Sequence, residues 1–256
     1  MKKNNKRAFH PDSIGDYFRT EWLPLTFITL SGLVYNLGLL AGPWFEGRLA
    51  QCLADILGGK KTAGAMTVLV LANMGRILGR QDYTDEAVYQ FLLHTKYLAD
   101  KKTGLWYHGF TFHGNHNFAG AFWGRGNCWV TIAIPLLLEM LPIGQPARRI
   151  LVNALENQIA SLAKYQDGNG MWHTLIDDPT SYVEASATSG FGYGILKAVH
   201  MGLVDAAYAE NAKKALAPIL KCIREDGIVD QVSYGTAMGR ETKDFYKQIP
   251  LRQMPY

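Results

Sequence analysis

From Met66 onward the chain alternates two kinds of apolar pattern. The stretch 66–79, MTVLVLANMGRILG, is apolar almost all round and closes on Gly79, which predicts a buried helix with a glycine stop. The stretch 84–100, TDEAVYQFLLHTKYLAD, is one-sided: Val88, Phe91, Leu92 and Tyr97 form an apolar stripe. Thr84 stands where an N-cap would, with Asp85 and Glu86 in the first turn. The alternation then recurs. WGRGNCWVTIAIPLLLEML (123–141) is apolar, ARRILVNALENQIASLAKY (147–165) amphipathic, EASATSGFGYGILKAVH (184–200) small and apolar, and DAAYAENAKKALAPILKCI (205–223) amphipathic.

The segments after the amphipathic helices also repeat. KYLADKKTGLWYHGF and KYQDGNGMWHTLIDD share the order Lys-Tyr, Asp, Gly, apolar, Trp, His, and a weaker third copy is IREDGIVDQVSYG. Their glycines Gly104, Gly170 and Gly227 stand 66 and 57 residues apart. The unit is an inner helix, an outer helix and a returning loop. Such hairpins stack into an all-α toroid with apolar helices inside, amphipathic ones outside, and like loops on one rim.

Composition narrows the classes. Of 256 residues, 48% are hydrophobic and 19% charged, the latter below the roughly 25% usual for soluble domains, so dominant disorder is excluded. The net charge of +4 comes from scattered pairs such as Lys60-Lys61, Lys101-Lys102 and Arg148-Arg149, not from a stripe that would read nucleic acid. Cys52, Cys128 and Cys222 are far apart and lack metal-ligand spacing, which fits free thiols in a reducing compartment. No secretion signal opens the chain. Residues 22–45 carry no charge, long enough to span a bilayer, although Pro24, Pro43, Asn36 and three glycines favour a buried pair of short helices.

The loops gather aromatic and hydrogen-bonding side chains: Trp106, Tyr107, His108, His113, His116, Trp123, Arg125, Asn127, Trp129, Trp172 and His173. Flat aromatic faces pack on sugar rings, and a guanidinium holds a carboxylate with two parallel bonds. Arg125, at the start of an inner helix, would add the helix N-terminus to that attraction. An acidic sugar is the expected ligand; the alternative is that the tryptophans fill the rim and Arg125 pairs a structural carboxylate. His113 and His116 lack the further ligands a metal site needs. Asp177 and Asp178 are candidate acid/base carboxylates or a turn before Pro179. Ser181 and Glu184 have capping-box spacing.

TGLWYHGF, HNFAGAFWGRGNCWVTIAIP, KYQDGNGMWHTLIDDPTSYVEASATSGFGYGILKAV and DFYKQIPLRQMPY resemble the unsaturated glucuronyl and rhamnogalacturonyl hydrolases, glycoside hydrolase families 88 and especially 105. The resemblance covers residues 66–256 and implies an (α/α)6 barrel, here incomplete, in a cytoplasmic enzyme. The implied substrate is an oligosaccharide with a 4,5-unsaturated uronic acid at its non-reducing end, attacked by hydration of the double bond without metal or organic cofactor. His108 falls on the family's substrate-contacting histidine; Trp123, Arg125 and Trp129 fall on its W-x-R-G-x-x-W motif. The family's acid/base Asp, in a motif like W-x-D-T-L-x-M, aligns with Thr62. Residues 1–65 match nothing in the family. The expectations are therefore a hydrolase, a non-catalytic uronide-binding protein, or, from residues 22–45 alone, a membrane-associated helical protein, with self-association through exposed inner helices.

Overall fold

The computed structural model describes residues 15, 16, 22–24, 26, 27, 64–142, 144–235 and 238–255. The chain divides into two compact units, Met1–Lys61 and Thr62–Tyr256, and the helical hairpins lie in the second. Thr62 and nearly all of the uncharged stretch 22–45 lie outside the described residues. Among the described residues no helix is long and apolar enough to cross a membrane.

Three hairpins form the unit. The first pairs α1 (Ala65–Leu78) with α2 (Gln81–Leu98), the second α3 (Gly124–Met140) with α4 (Ala147–Tyr165), and the third α5 (Ala185–His200) with α6 (Ala209–Lys221). The apolar helices α1, α3 and α5 pack on one another in order, and each carries its amphipathic partner on the outside. This is the inner and outer layering of an (α/α) barrel, built because an all-round apolar helix must be covered on several sides. Side chains of the inner helices nonetheless remain exposed: Met66, Val70, Trp129, Tyr193 and Leu196.

Gly79 ends α1 in the left-handed conformation, φ 65°, and the N–H of Arg80 returns to the Gly75 carbonyl at 2.9 Å. That reversal is tight enough for α2 to begin at Gln81, so Thr84 lies inside the helix and not at its cap. Its hydroxyl instead sits against Gly75, where an added Cβ would come within 2.5 Å of it.

The inner helices approach closely where glycine permits. A Cβ on Gly194 of α5 would stand 2.5 Å from the Thr131 carbonyl of α3. That carbonyl faces Pro135, which has no N–H to give it. Beside it lies a buried polar knot. Gln158 of α4 accepts from the Thr131 hydroxyl at 3.0 Å and donates to the Asn127 carbonyl at 3.1 Å. Asn127 in turn holds both backbone groups of Trp106, at 2.8 and 2.7 Å.

Two small antiparallel pairs complete the unit: β1 (Phe110–Thr111) with β2 (His116–Asn117), and β3 (Ile228–Ser233) with β4 (Leu251–Pro255). A short helix, α7 (Asp244–Lys247), lies between β3 and β4 and carries Tyr246 into the unit, fully buried.

Candidate functional site

The loops after α2 and α4 dock in the same way. Asp100 and Asp167 each fold the turn by accepting backbone N–H groups, from Thr103 at 2.8 Å and from Asn169 at 2.9 Å. Gly104 and Gly170 follow with φ of 72° and 95°, pressed onto the next outer helix, where a Cβ would meet Asn157 at 2.7 Å and Lys214 at 2.5 Å. The tryptophan after each glycine hands its N–H to the first turn of the next inner helix, Trp106 to Asn127 at 2.8 Å and Trp172 to Thr188 at 3.1 Å.

That placement corrects the expectation of two sugar platforms. Trp172 is fully buried, packs edge-on to Phe191 and donates its indole N–H to the Leu162 carbonyl at 2.8 Å. Trp106 is equally a core side chain, 2% exposed, although it is among the residues lining a cavity. His173 is buried too, with Nδ1 on the Ser181 carbonyl and Nε2 3.3 Å from Asp167. His113 and His116 are exposed on the β1–β2 turn, and among the described residues no three His, Cys, Asp or Glu side chains converge.

His108, Trp123 and Trp129 do come together. They line a cavity of about 680 Å³ with Tyr97, Phe110 and Phe118 among its other walls. The His108 ring lies on Trp123, centroids 4.5 Å apart, and its Nδ1 is 2.7 Å from the Tyr246 hydroxyl. Burial pushes the His108 imidazole down to about 4, so it is neutral near pH 7. Trp129 is 41% exposed. Tyr246 was not among the residues expected here, although it lies in the DFYKQIPLRQMPY segment that carried part of the resemblance.

Arg125 sits one residue from the cavity wall, its guanidinium 5.8 Å from the Trp123 ring. Nη2 points to Glu184 at 3.2 Å and to the carbonyl and hydroxyl of Ser233, while Nη1 reaches the Gly235 carbonyl at 3.4 Å. Glu184, 1% exposed, joins three elements. It caps α5 by accepting from Ala187 N–H at 2.6 Å, accepts from Ser233 N–H at 2.9 Å, and pairs Arg125. Glu184 is thus itself the N-cap, and Ser181 instead bonds within its own turn, donating to the Asp178 carbonyl at 2.8 Å. The free helix end expected at Arg125 is partly used as well: the Gly124 N–H donates to the Thr174 carbonyl at 2.7 Å.

Asp178 is tied down. Lys247 lies 2.7 Å from its carboxylate, and the Thr180 hydroxyl donates at 2.6 Å. These two partners, Lys247 first, hold the carboxyl well below the usual range, the opposite of what a proton donor needs. Asp177 is exposed, and neither residue lines the cavity. Four buried side-chain polar atoms lack a partner among the described residues: Nε1 of Trp106 and Trp123, Nε of Arg125, and the Thr174 hydroxyl. Trp106 and Trp123 are lining residues of the cavity, but these atoms are themselves shielded from its surface.

Three stacked helical hairpins, apolar helices inside and amphipathic ones outside, with an aromatic cavity at their loops, have the layering of an (α/α) barrel. Residues 65–256 match Glycosyl Hydrolase Family 88, and the chain belongs to that family. An unsaturated rhamnogalacturonyl hydrolase of Bacillus subtilis is 33% identical over 189 residues, 74% of this chain and 53% of the relative. An unsaturated 3S-rhamnoglycuronyl hydrolase of an Alteromonas species is 27% identical over 192 residues, 73% of this chain and 45% of the relative. A crystal structure described as a possible member of glycoside hydrolase family 105, from Salmonella enterica, is 56% identical with a TM-score of 0.72, covering 74% of this chain and 50% of that one. The chain spans about half the length of these relatives.

Proposed function

We propose that this chain acts on oligosaccharides ending in a 4,5-unsaturated uronic acid, as a glycoside hydrolase that hydrates the double bond, with the cavity at His108, Trp123 and Trp129 as its sugar site. Hydration adds a proton and a hydroxyl across the double bond; the resulting hemiketal opens and frees the rest of the sugar. The observation that carries the reading is that His108, Trp123 and Trp129, from two family motifs, line one cavity of about 680 Å³. In this reading Trp129 stacks on a sugar face, His108 gives a neutral hydrogen bond, and Arg125 sets a positive charge beside the uronate. On this reading the protein works in the cytoplasm on short oligosaccharides left by polysaccharide lyases, and the exposed inner-helix side chains favour self-association.

A second reading, uronide binding without turnover, has an observation of its own. Among the described residues no carboxylate lines the cavity, and Asp178 is committed to Lys247. One experiment separates the two. The protein is incubated with an unsaturated uronyl disaccharide while the ultraviolet absorbance of the conjugated double bond is followed, and binding is measured by calorimetry. Loss of absorbance that survives Asp178→Asn places the acid on another residue; binding with constant absorbance selects the second reading. Arg125→Ala should weaken uronide binding about tenfold or more, as loss of a charge-assisted hydrogen bond does, and spare a neutral disaccharide. Equal weakening of both would remove Arg125 from its role, and no binding by the unmodified protein would end both readings.

A further inference from the structure

His108, after α2, and Tyr246, on α7, meet at the cavity wall with Nδ1 of the imidazole 2.7 Å from the phenolic oxygen. Either nitrogen of a neutral imidazole can carry the proton, and the hydrogen bond made by one decides the state of the other. Tyr246 is fully buried, so its hydroxyl proton needs an acceptor and its oxygen has few places to find donors. The Gly239 backbone N–H already donates to that oxygen at 3.2 Å. If Nδ1 were protonated, it too would donate into the Tyr246 oxygen, and the hydroxyl proton would have no acceptor among the described residues. If the Tyr246 hydroxyl donates to Nδ1, every group in the chain Gly239, Tyr246, His108 is satisfied. A buried hydroxyl without a partner is the costlier arrangement, so the second one prevails.

We propose that Tyr246 is a positioning residue that fixes His108 as the tautomer protonated on Nε2, so that the ring presents a neutral N–H donor to the cavity. The stacking of the ring on Trp123, 42° between planes, holds its orientation. Among the described residues no hydrogen bond reaches Nε2, which leaves that N–H for a ligand oxygen. A donor of this kind suits a hydroxyl or carboxylate oxygen and cannot take a proton through the nitrogen it exposes. Its use toward a uronide rests on the function proposed above; the tautomer itself does not.

The test is a long-range proton–nitrogen correlation spectrum of the full, uniformly nitrogen-15-labelled chain near neutral pH, with His108 assigned by its loss in His108→Gln. The expected result is an unprotonated shift at Nδ1 and a protonated shift at Nε2. A proton on Nδ1, or two averaged shifts, overturns the proposal. Tyr246→Phe deletes the donor, and the two His108 nitrogens should then average toward one another; an unchanged Nε2–H in that variant would show that Tyr246 does not set the tautomer. Should that variant fail to fold, the wild-type chain still decides through the Tyr246 hydroxyl proton. Cross-relaxation of that proton with the His108 ring supports the proposal, and cross-relaxation with other groups only overturns it. An Nε2–H spectrum from a chain that fails to bind the unsaturated disaccharide would uphold the tautomer while refuting the sugar reading.

Discussion

His108 follows Trp106 by two positions, whereas His173 follows Trp172 by one. Both tryptophans anchor their loops in the core. His108 nevertheless lines the cavity, whereas His173 is buried on Ser181 and Asp167. The two loops look alike in sequence, and only the packing separates a cavity-lining histidine from a buried structural one. Glu184 was legible as part of a helix cap, though as the partner of Ser181 and not as the N-cap itself. Its distant partners Arg125 and Ser233 were not legible, because those contacts join positions 59 and 49 residues apart. Glu184→Gln keeps the shape while removing the charge, which leaves Arg125 without its carboxylate in a buried setting. We expect a loss of about 3 kcal/mol, as for other broken buried pairs, measured as a lower urea midpoint with an unchanged slope; a loss under about 1 kcal/mol would show the pair to be dispensable.

At the scale of elements, hydrophobic periodicity located six helices and sorted them into inner and outer kinds, which is how they pack. The periodic signal is strong because burial acts on whole faces. Boundaries depended on contacts it does not contain: α2 starts at Gln81 because Gly79 lets the chain reverse at once and Thr84 finds a seat on Gly75. Gly190 and Gly194 inside α5 likewise answer to contacts with α3. Gly194→Ala would stabilise an isolated helix by about 1 kcal/mol. Here its methyl group would collide with the Thr131 carbonyl, so we expect the reverse, a destabilisation of about 1–3 kcal/mol, read as a lower Tm; a raised Tm would mean that α3 and α5 can separate freely.

For the whole molecule, burial of a neutral imidazole predicts a pH dependence. As the pH falls below the ordinary histidine value of 6.5, the unfolded chain takes up a proton that folded His108 refuses until about pH 4. Stability contributed by His108 is thus full above 6.5 and is lost between 6.5 and 4, at no more than about 1.4 kcal/mol per pH unit. Urea midpoints at pH 7 and pH 5 should differ more for the wild type than for His108→Gln, and equal differences would show that His108 does not titrate in that window. Asp178 acts lower, since a carboxyl held down by Lys247 contributes stability that is lost only as the pH drops below the ordinary carboxylate value of 3.8. The chain by itself determined the hairpin repeat, the layering and the family motifs, because each rests on local periodicity or on contiguous residues. Which aromatic and charged side chains line the cavity was decided only in three dimensions. Trp172 went to the core and Asp178 to Lys247, Arg125 gained Glu184 as a partner, and Tyr246 crossed from the far end of the unit to His108. Most buried polar groups need a partner, and those partners are chosen by packing, not by sequence proximity.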